Sequence, residues 1–182
     1  MKKRALFLDR DGVINIDKVH TYKIEDFEFQ DGIFNLCKKN ELKDYIIIVI
    51  TNQSGISRKI YTEDDYHILT KFMLEKFKEK NIDITKVYYC PYHPDFPIKK
   101  YKNLINHRKP NPGMILDAKE EFNIDLENSV LIGDNLSDIQ AGINAGIKKN
   151  ILISDEIYDS KNRFLTVKDL SENSIRKVLN IL

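Results

Sequence analysis

The chain has 182 residues, with 29 Lys and Arg against 28 Asp and Glu and a formal net charge of +1 at pH 7. That length suits one domain, residues 1–182, with a sizeable core, and the even balance leaves no global field to draw nucleic acid or an anionic membrane. Two cysteines, Cys37 and Cys90, are too few for a disulfide framework. The longest apolar run, Tyr45–Ile50, is far below the about 20 residues of a spanning helix. The basic start, Met1 to Arg4, leads into an apolar run too short for a signal peptide, so a cytoplasmic protein is expected.

The first predicted strand, Arg4–Leu8, is apolar and unalternating, as strands covered on both faces are. It runs into Asp9-Arg10-Asp11-Gly12, and in open α/β sheets ligands sit just outside strand carboxyl ends. Strand alternation predicts that Asp9 and Asp11 share a side while Arg10 points away. Two close like charges call for neutralisation, most simply by a hard cation with oxygen ligands, typically Mg²⁺. Taken alone, the run also reads as an Asp/Gly turn closing a strand.

A long connection, residues 13–30, leads to a predicted helix over Gly32–Leu42. In that connection His20 and Tyr22 either touch a ligand or sit at the core edge. The strand Tyr45–Ile50 ends in Thr51-Asn52-Gln53-Ser54-Gly55, whose hydroxyl, amides and backbone donors suit phosphoryl oxygens or, equally, a polar turn with a helix cap. Apolar residues Tyr66, Leu69, Phe72, Met73 and Phe77 predict a helix over Glu63–Lys80. A third strand, Val87–Tyr89, opens a second long connection, residues 91–111, that closes on Arg108-Lys109-Pro110: two positive charges beside a site, or a solvated basic loop. Lys99, Lys100, Lys102, Arg58 and Lys59 either ring the same mouth or are solvated.

The helix Met114–Phe122 follows Pro112-Gly113. The strand Ser129–Ile132 ends in Gly133-Asp134, and Asp134 is placed to complete a three-carboxylate cation site. Asp138, one helical turn on, is suited to orienting the cation; aspartate here also commonly just caps a helix. A helix over Leu136–Ala145, a strand over Asn150–Ile153 and a helix over Leu170–Leu182 complete the chain. Alternating strands and helices predict an α/β, Rossmann-like three-layer sandwich with a central parallel sheet and right-handed crossovers. The intervals between Asp11, Thr51 and Lys109 leave no room for a separate cap domain, so loops must grip the substrate.

The ordered set is more specific than any member, and it resembles the haloacid dehalogenase-like phosphatases over essentially the whole chain. Within them, Phe7 to Asn15, Thr51 to Ile56, Asp26-Phe27-Glu28-Phe29 and Arg108-Lys109-Pro110 look like the small, lidless heptose bisphosphate phosphatases and the related histidinol-phosphate phosphatases. The resemblance implies a Mg²⁺-dependent phosphatase acting on a small phosphorylated sugar, removing the C7 phosphate of D-glycero-D-manno-heptose 1,7-bisphosphate. It implies Asp9 as the nucleophile that forms an aspartyl-phosphate, and Asp11 as the acid that protonates the leaving oxygen and then activates water. Mg²⁺ would be held by Asp9, Asp134 and Asp11 through its backbone carbonyl. Thr51, Asn52 and Lys109 would neutralise the phosphoryl group, with Arg108 and Arg58 on the rest of the substrate. A monomer or weak dimer is expected.

The same resemblance raises a structural Zn²⁺ in the second long connection, where the heptose enzymes often carry Cys-x-His and Cys-x-Cys pairs. Here those positions read Cys90, Tyr92, Ile105 and His107, with His93 one residue beyond the first pair. Cys90, His93 and His107 make three ligands where closed zinc sites have four. Asn135 stands where the heptose enzymes commonly have lysine. Outside this family, a receiver-type module would carry an acid after its central third strand, where this chain has Cys90; a non-catalytic sugar-phosphate binder would lack a reacting residue, and none is missing.

Overall fold

The computed structural model describes residues 2–156, 158 and 163–182. Among these, six strands form one parallel sheet: β1 (Arg4–Leu8), β2 (Tyr45–Asn52), β3 (Ile84–Cys90), β4 (Val130–Gly133), β5 (Lys149–Ile153) and β6 (Leu165–Val167). Their order is β3-β2-β1-β4-β5-β6, so chain direction across the sheet reverses between β1 and β4, the crevice where doubly wound sheets bind ligands. This is the three-layer Rossmann-like sandwich, without a separate cap among the described residues.

Alternation along β1 explains the two cores. Leu6 and Leu8 join Ile47, Val49, Val130 and Ile132 beneath α1 (Ile33–Cys37), α2 (Glu63–Glu79) and α5 (Glu172–Leu179). Ala5 and Phe7 join Ile48, Ile50, Leu131 and Leu152 beneath α3 (Gly113–Phe122) and α4 (Leu136–Ala145). Both faces of the inner strands β1 and β4 are covered, so they carry no polar side and read as continuous apolar runs.

The expected helix over Gly32–Leu42 is instead two short pieces, α1 and a 3-10 turn at Asn40–Leu42, because Lys39 between them is extended (φ −64°, ψ 136°). The last helix occupies only Glu172–Leu179 of its expected span. The connection over 91–111 holds a nine-residue 3-10 run, Lys99–His107, and β6 was not expected at all.

Candidate active site

Parallel strands bring β1, β2 and β4 to a common carboxyl edge, where Asp9, Asp11, Asp17, Thr51, Asn52, Arg108, Lys109, Asp134, Asn135, Ser137 and Asp138 line a cavity of about 250 Å³. Asp9 stays tied to the sheet, its N–H donating to the Ile132 carbonyl at 3.0 Å. Thr51 and Asn52 are the last residues of β2. Asp138 reaches the site from the first turn of α4, where its Oδ2 also accepts the Asn135 N–H at 3.0 Å, half of a capping box.

Oxygens of Asp9, Asp134 and Asp138 lie within 4.8 Å of one another. Two glycines permit this. A Cβ on Gly12, at φ +83°, would stand 2.0 Å from Asp134 Oδ2, and one on Gly133 would stand 2.3 Å from Asp138 Cβ. Lys109, 3% exposed, answers the negative charge: its Nζ is 2.8 Å from Asp9 Oδ1 and 2.7 Å from Asp138 Oδ1, and donates to the Ile50 carbonyl at 3.0 Å. Asn52 fixes the lysine's backbone, accepting its N–H at 3.1 Å and donating to its carbonyl at 3.2 Å.

Burial pushes the Asp9 carboxyl well above its ordinary value; Lys109 pulls it back, while Asp138 and Asp134 push it further up. Asp134 is raised to about 7, by burial first and then by Asp138. For Lys109 burial acts against the charge, but the two aspartates outweigh it and the ammonium is held more firmly than usual. One lysine thus does not satisfy three carboxylates, and the remaining hard oxygen donors fit a divalent cation such as Mg²⁺.

Asp138, expected only to orient a cation, joins this group, whereas the Asp11 carboxylate does not. The reason is Arg10. The strand ends at Leu8, so alternation no longer governs Arg10. The chain closes a tight turn in which the Ile14 and Asn15 N–H groups both donate to the Arg10 carbonyl. Arg10 is buried, not turned away, and its Nη2 donates to both Asp11 oxygens at 2.9 Å. Nothing in the Asp-Arg-Asp spelling separates a buried arginine from an exposed one.

Thr51 Oγ1 accepts from Gln53 Nε2 at 2.8 Å. Arg108 lines the cavity and donates to the Tyr92 carbonyl at 3.2 Å. Arg58 does not line it; its Nη2 lies 2.8 Å from His93 Nε2 and its guanidinium stacks on Phe96, in a neighbouring cavity. Lys100 is paired with Glu63. Tyr22 stacks on Tyr61 with centroids 5.2 Å apart.

The zinc expectation fares differently. Cys90 Sγ donates to the Leu104 carbonyl at 3.5 Å, His93 is engaged by Arg58 and by the Asp95 N–H, and His107 Nε2 lies 2.7 Å from Asp117 on α3. These three are not brought together, and burial raises the Cys90 thiol's pKa, which disfavours the thiolate a metal needs. The residues present do not fit Zn²⁺.

An acidic cluster threaded by a buried lysine, at the switch point of a Rossmann-ordered sheet, is suited to meet a phosphoryl group. The HAD-hydrolase-like family model matches residues 106–170. The chain is 51% identical to the D-glycero-alpha-D-manno-heptose-1,7-bisphosphate 7-phosphatase of Campylobacter jejuni, covering 94% of each chain. It is 50% identical to the enzyme of that name from Burkholderia mallei, over 85% of this chain and 82% of that one. The Escherichia coli K12 D-glycero-beta-D-manno-heptose-1,7-bisphosphate 7-phosphatase is 37% identical, over 82% and 78%. Among solved structures, D,D-heptose 1,7-bisphosphate phosphatase from B. bronchiseptica, complexed with magnesium and phosphate, superposes with a TM-score of 0.78 at 22% identity, over 98% and 99% of the two chains. The chain belongs to the haloacid dehalogenase-like phosphatases, in the branch of the heptose 1,7-bisphosphate 7-phosphatases.

Proposed function

We propose that residues 1–182 act as one domain that removes the C7 phosphate of D-glycero-α-D-manno-heptose 1,7-bisphosphate, with Asp9 as nucleophile and Mg²⁺ as cofactor. The observation that carries this reading is the convergence of Asp9, Asp134, Asp138 and Lys109 on one cavity walled by Thr51, Asn52 and Arg108. The α anomer is favoured because the two relatives near 50% identity carry α in their names, whereas the one at 37% carries β.

Held by Asp9, Asp134 and the Asp11 backbone carbonyl, with Asp138 beside them, Mg²⁺ would supply charge neutralisation at the phosphoryl oxygens, so that an anionic carboxylate can approach a dianion. Lys109 orients Asp9 from within the cluster and adds a fixed positive charge where the transferring group must sit. The free Asp9 oxygen attacks phosphorus, the bond from phosphorus to the C7 oxygen breaks, and Asp11 delivers the proton that oxygen needs. Water then attacks phosphorus, gives its proton to Asp11, and the phosphorus–Asp9 bond breaks. Thr51 and Asn52 offer donors from the end of β2, and Arg108 stands on the cavity wall for the distal anionic part of the substrate.

Steady-state turnover on the α and β anomers and on histidinol phosphate, with and without Mg²⁺, tests the proposal. The expected order of kcat/KM is α above β, with histidinol phosphate lowest and each dependent on metal. Equal rates on all three would defeat the substrate assignment.

A further inference from the structure

We propose that Arg10 is a positioning residue that holds the Asp11 carboxylate and couples it to the loop at Thr21, so that proton delivery to the leaving group depends on that loop. The proposal rests on the reading of Asp11 as acid and base given above.

A guanidinium 1% exposed has given up its hydration, and burying a charge is costly unless its donors are used. Arg10 turns two of its three nitrogens, Nε and Nη2, to one residue. Nη2 lies 2.9 Å from each Asp11 oxygen and Nε lies 3.3 Å from Oδ1. The same Nη2 donates to the Thr21 carbonyl at 2.8 Å, while Nη1 is buried without a partner. Asp11 is clamped from two further segments: Asn15 Nδ2 donates to Oδ1 and Gln53 Nε2 to Oδ2, each at 3.1 Å.

These contacts close a ring. Gln53 accepts the Tyr61 hydroxyl at 2.6 Å, Tyr61 stacks on Tyr22, and Tyr22 follows Thr21, whose carbonyl returns to Arg10. Just before Thr21, Val19 and His20 both hold left-handed backbone at φ 57° and 63°, a conformation unfavourable for non-glycine residues. Asp17, at the start of this loop, lines the same cavity as Asp9. A substrate that touches the loop therefore acts on the ring.

Every neighbour of Asp11 donates, so both of its oxygens are engaged as acceptors. To hand a proton to the leaving oxygen, the carboxyl must release at least one of these bonds, carry the proton, and return as a carboxylate. Arg10, with two of its nitrogens on Asp11 and one of those also on the loop, sets where that exchange happens. A purely structural ion pair would hold the fold and leave the chemical step indifferent to the leaving group.

The test compares Arg10→Lys and Arg10→Met with wild type on the heptose bisphosphate and on p-nitrophenyl phosphate, whose phenolate departs without a proton. Loss of positioned acid catalysis removes roughly 100-fold or more from the sugar phosphate reaction. The expected result is such a fall in the single-turnover rate at which the sugar product is released, while the burst rate of p-nitrophenolate release, which precedes water attack on the aspartyl-phosphate, changes less than about threefold. Lysine, which keeps the charge but not the fork, should restore roughly tenfold over methionine. Equal losses on both substrates overturn the role given to Arg10. If the Arg10 variants do not fold, Tyr61→Phe, which deletes one hydroxyl from the ring, must give the same split in smaller measure, and no split there also overturns it. A wild type that hydrolyses neither compound refutes the underlying phosphatase reading, a different outcome from equal losses.

Discussion

Replacing Lys109 by methionine keeps the length of a buried side chain and removes its charge. In the native site that charge sits 2.8 Å from Asp9 and 2.7 Å from Asp138, with Asp134 within 4.8 Å of both acids. Without it, each pair of ionised carboxylates at such a separation repels by about 3 kcal/mol at an effective dielectric of about 20. Breaking a buried pair by removing one partner costs about 3–5 kcal/mol overall, since protonation and relaxation relieve part of the repulsion. A domain of this size has about 5–15 kcal/mol to lose, so the variant should fold but melt about 6–20 °C lower. Urea unfolding at pH 8 in EDTA measures the deficit directly. At pH 5 it should shrink, because Asp9 and Asp134, both raised, take up protons and dissolve the repulsion. Added Mg²⁺ should rescue the variant's stability more than the wild type's, while kcat stays down by at least about 100-fold. A deficit below about 1 kcal/mol at pH 8, or one that grows on acidification, would refute the reasoning.

Asp9→Asn should abolish turnover yet leave a folded protein, because Lys109 keeps Asp138 and the Ile50 carbonyl; circular dichroism and a phosphate-release assay check both halves. Metal-free protein should lose stability as pH rises from about 4 to 7. The folded Asp134 carboxyl is raised from 3.8 to about 7, so its contribution is complete below the unfolded value and gone above the folded one. The rise in Tm on adding Mg²⁺ should grow over the same interval, and a shift independent of pH would contradict this. Gly12→Ala places a methyl 2.0 Å from Asp134 Oδ2 at a φ of +83°, and isothermal titration should show Mg²⁺ binding weakened at least tenfold, with unchanged binding counting against the site.

Much of this architecture is legible in the sequence because the strands are buried on both faces and read as uninterrupted apolar runs; β1 and α4 fall on their expected bounds, Arg4–Leu8 and Leu136–Ala145. Asp9, Thr51 and Asp134 could be placed because each follows or ends such a run, and parallel strands bring those ends together, whereas Lys109 closes the long connection after β3 and was placed by the Arg-Lys-Pro segment. What escaped is what depends on the turn after the run. Strand alternation cannot be carried past Leu8, so Arg10 was expected to point away from the side of Asp9 and Asp11 and instead lies buried against Asp11. Asp138 meets Lys109 because α4 starts one residue after Asn135, a matter of helix entry angle rather than residue type. Arg58 has the right charge and the wrong neighbours: Phe96 and His93 hold it away from the acidic group. The three residues of β6, Leu165-Thr166-Val167, form an edge strand too short to carry a periodic signal.

The most direct test is to quench the enzyme during turnover of the bisphosphate, reduce it with borohydride and map the product by mass spectrometry. A phosphorylated aspartate becomes homoserine, and the account predicts that conversion at position 9, present only when substrate is added and missing from Asp9→Asn. Reduction at Asp11 or Asp134, or none while phosphate is released at full rate, would contradict it.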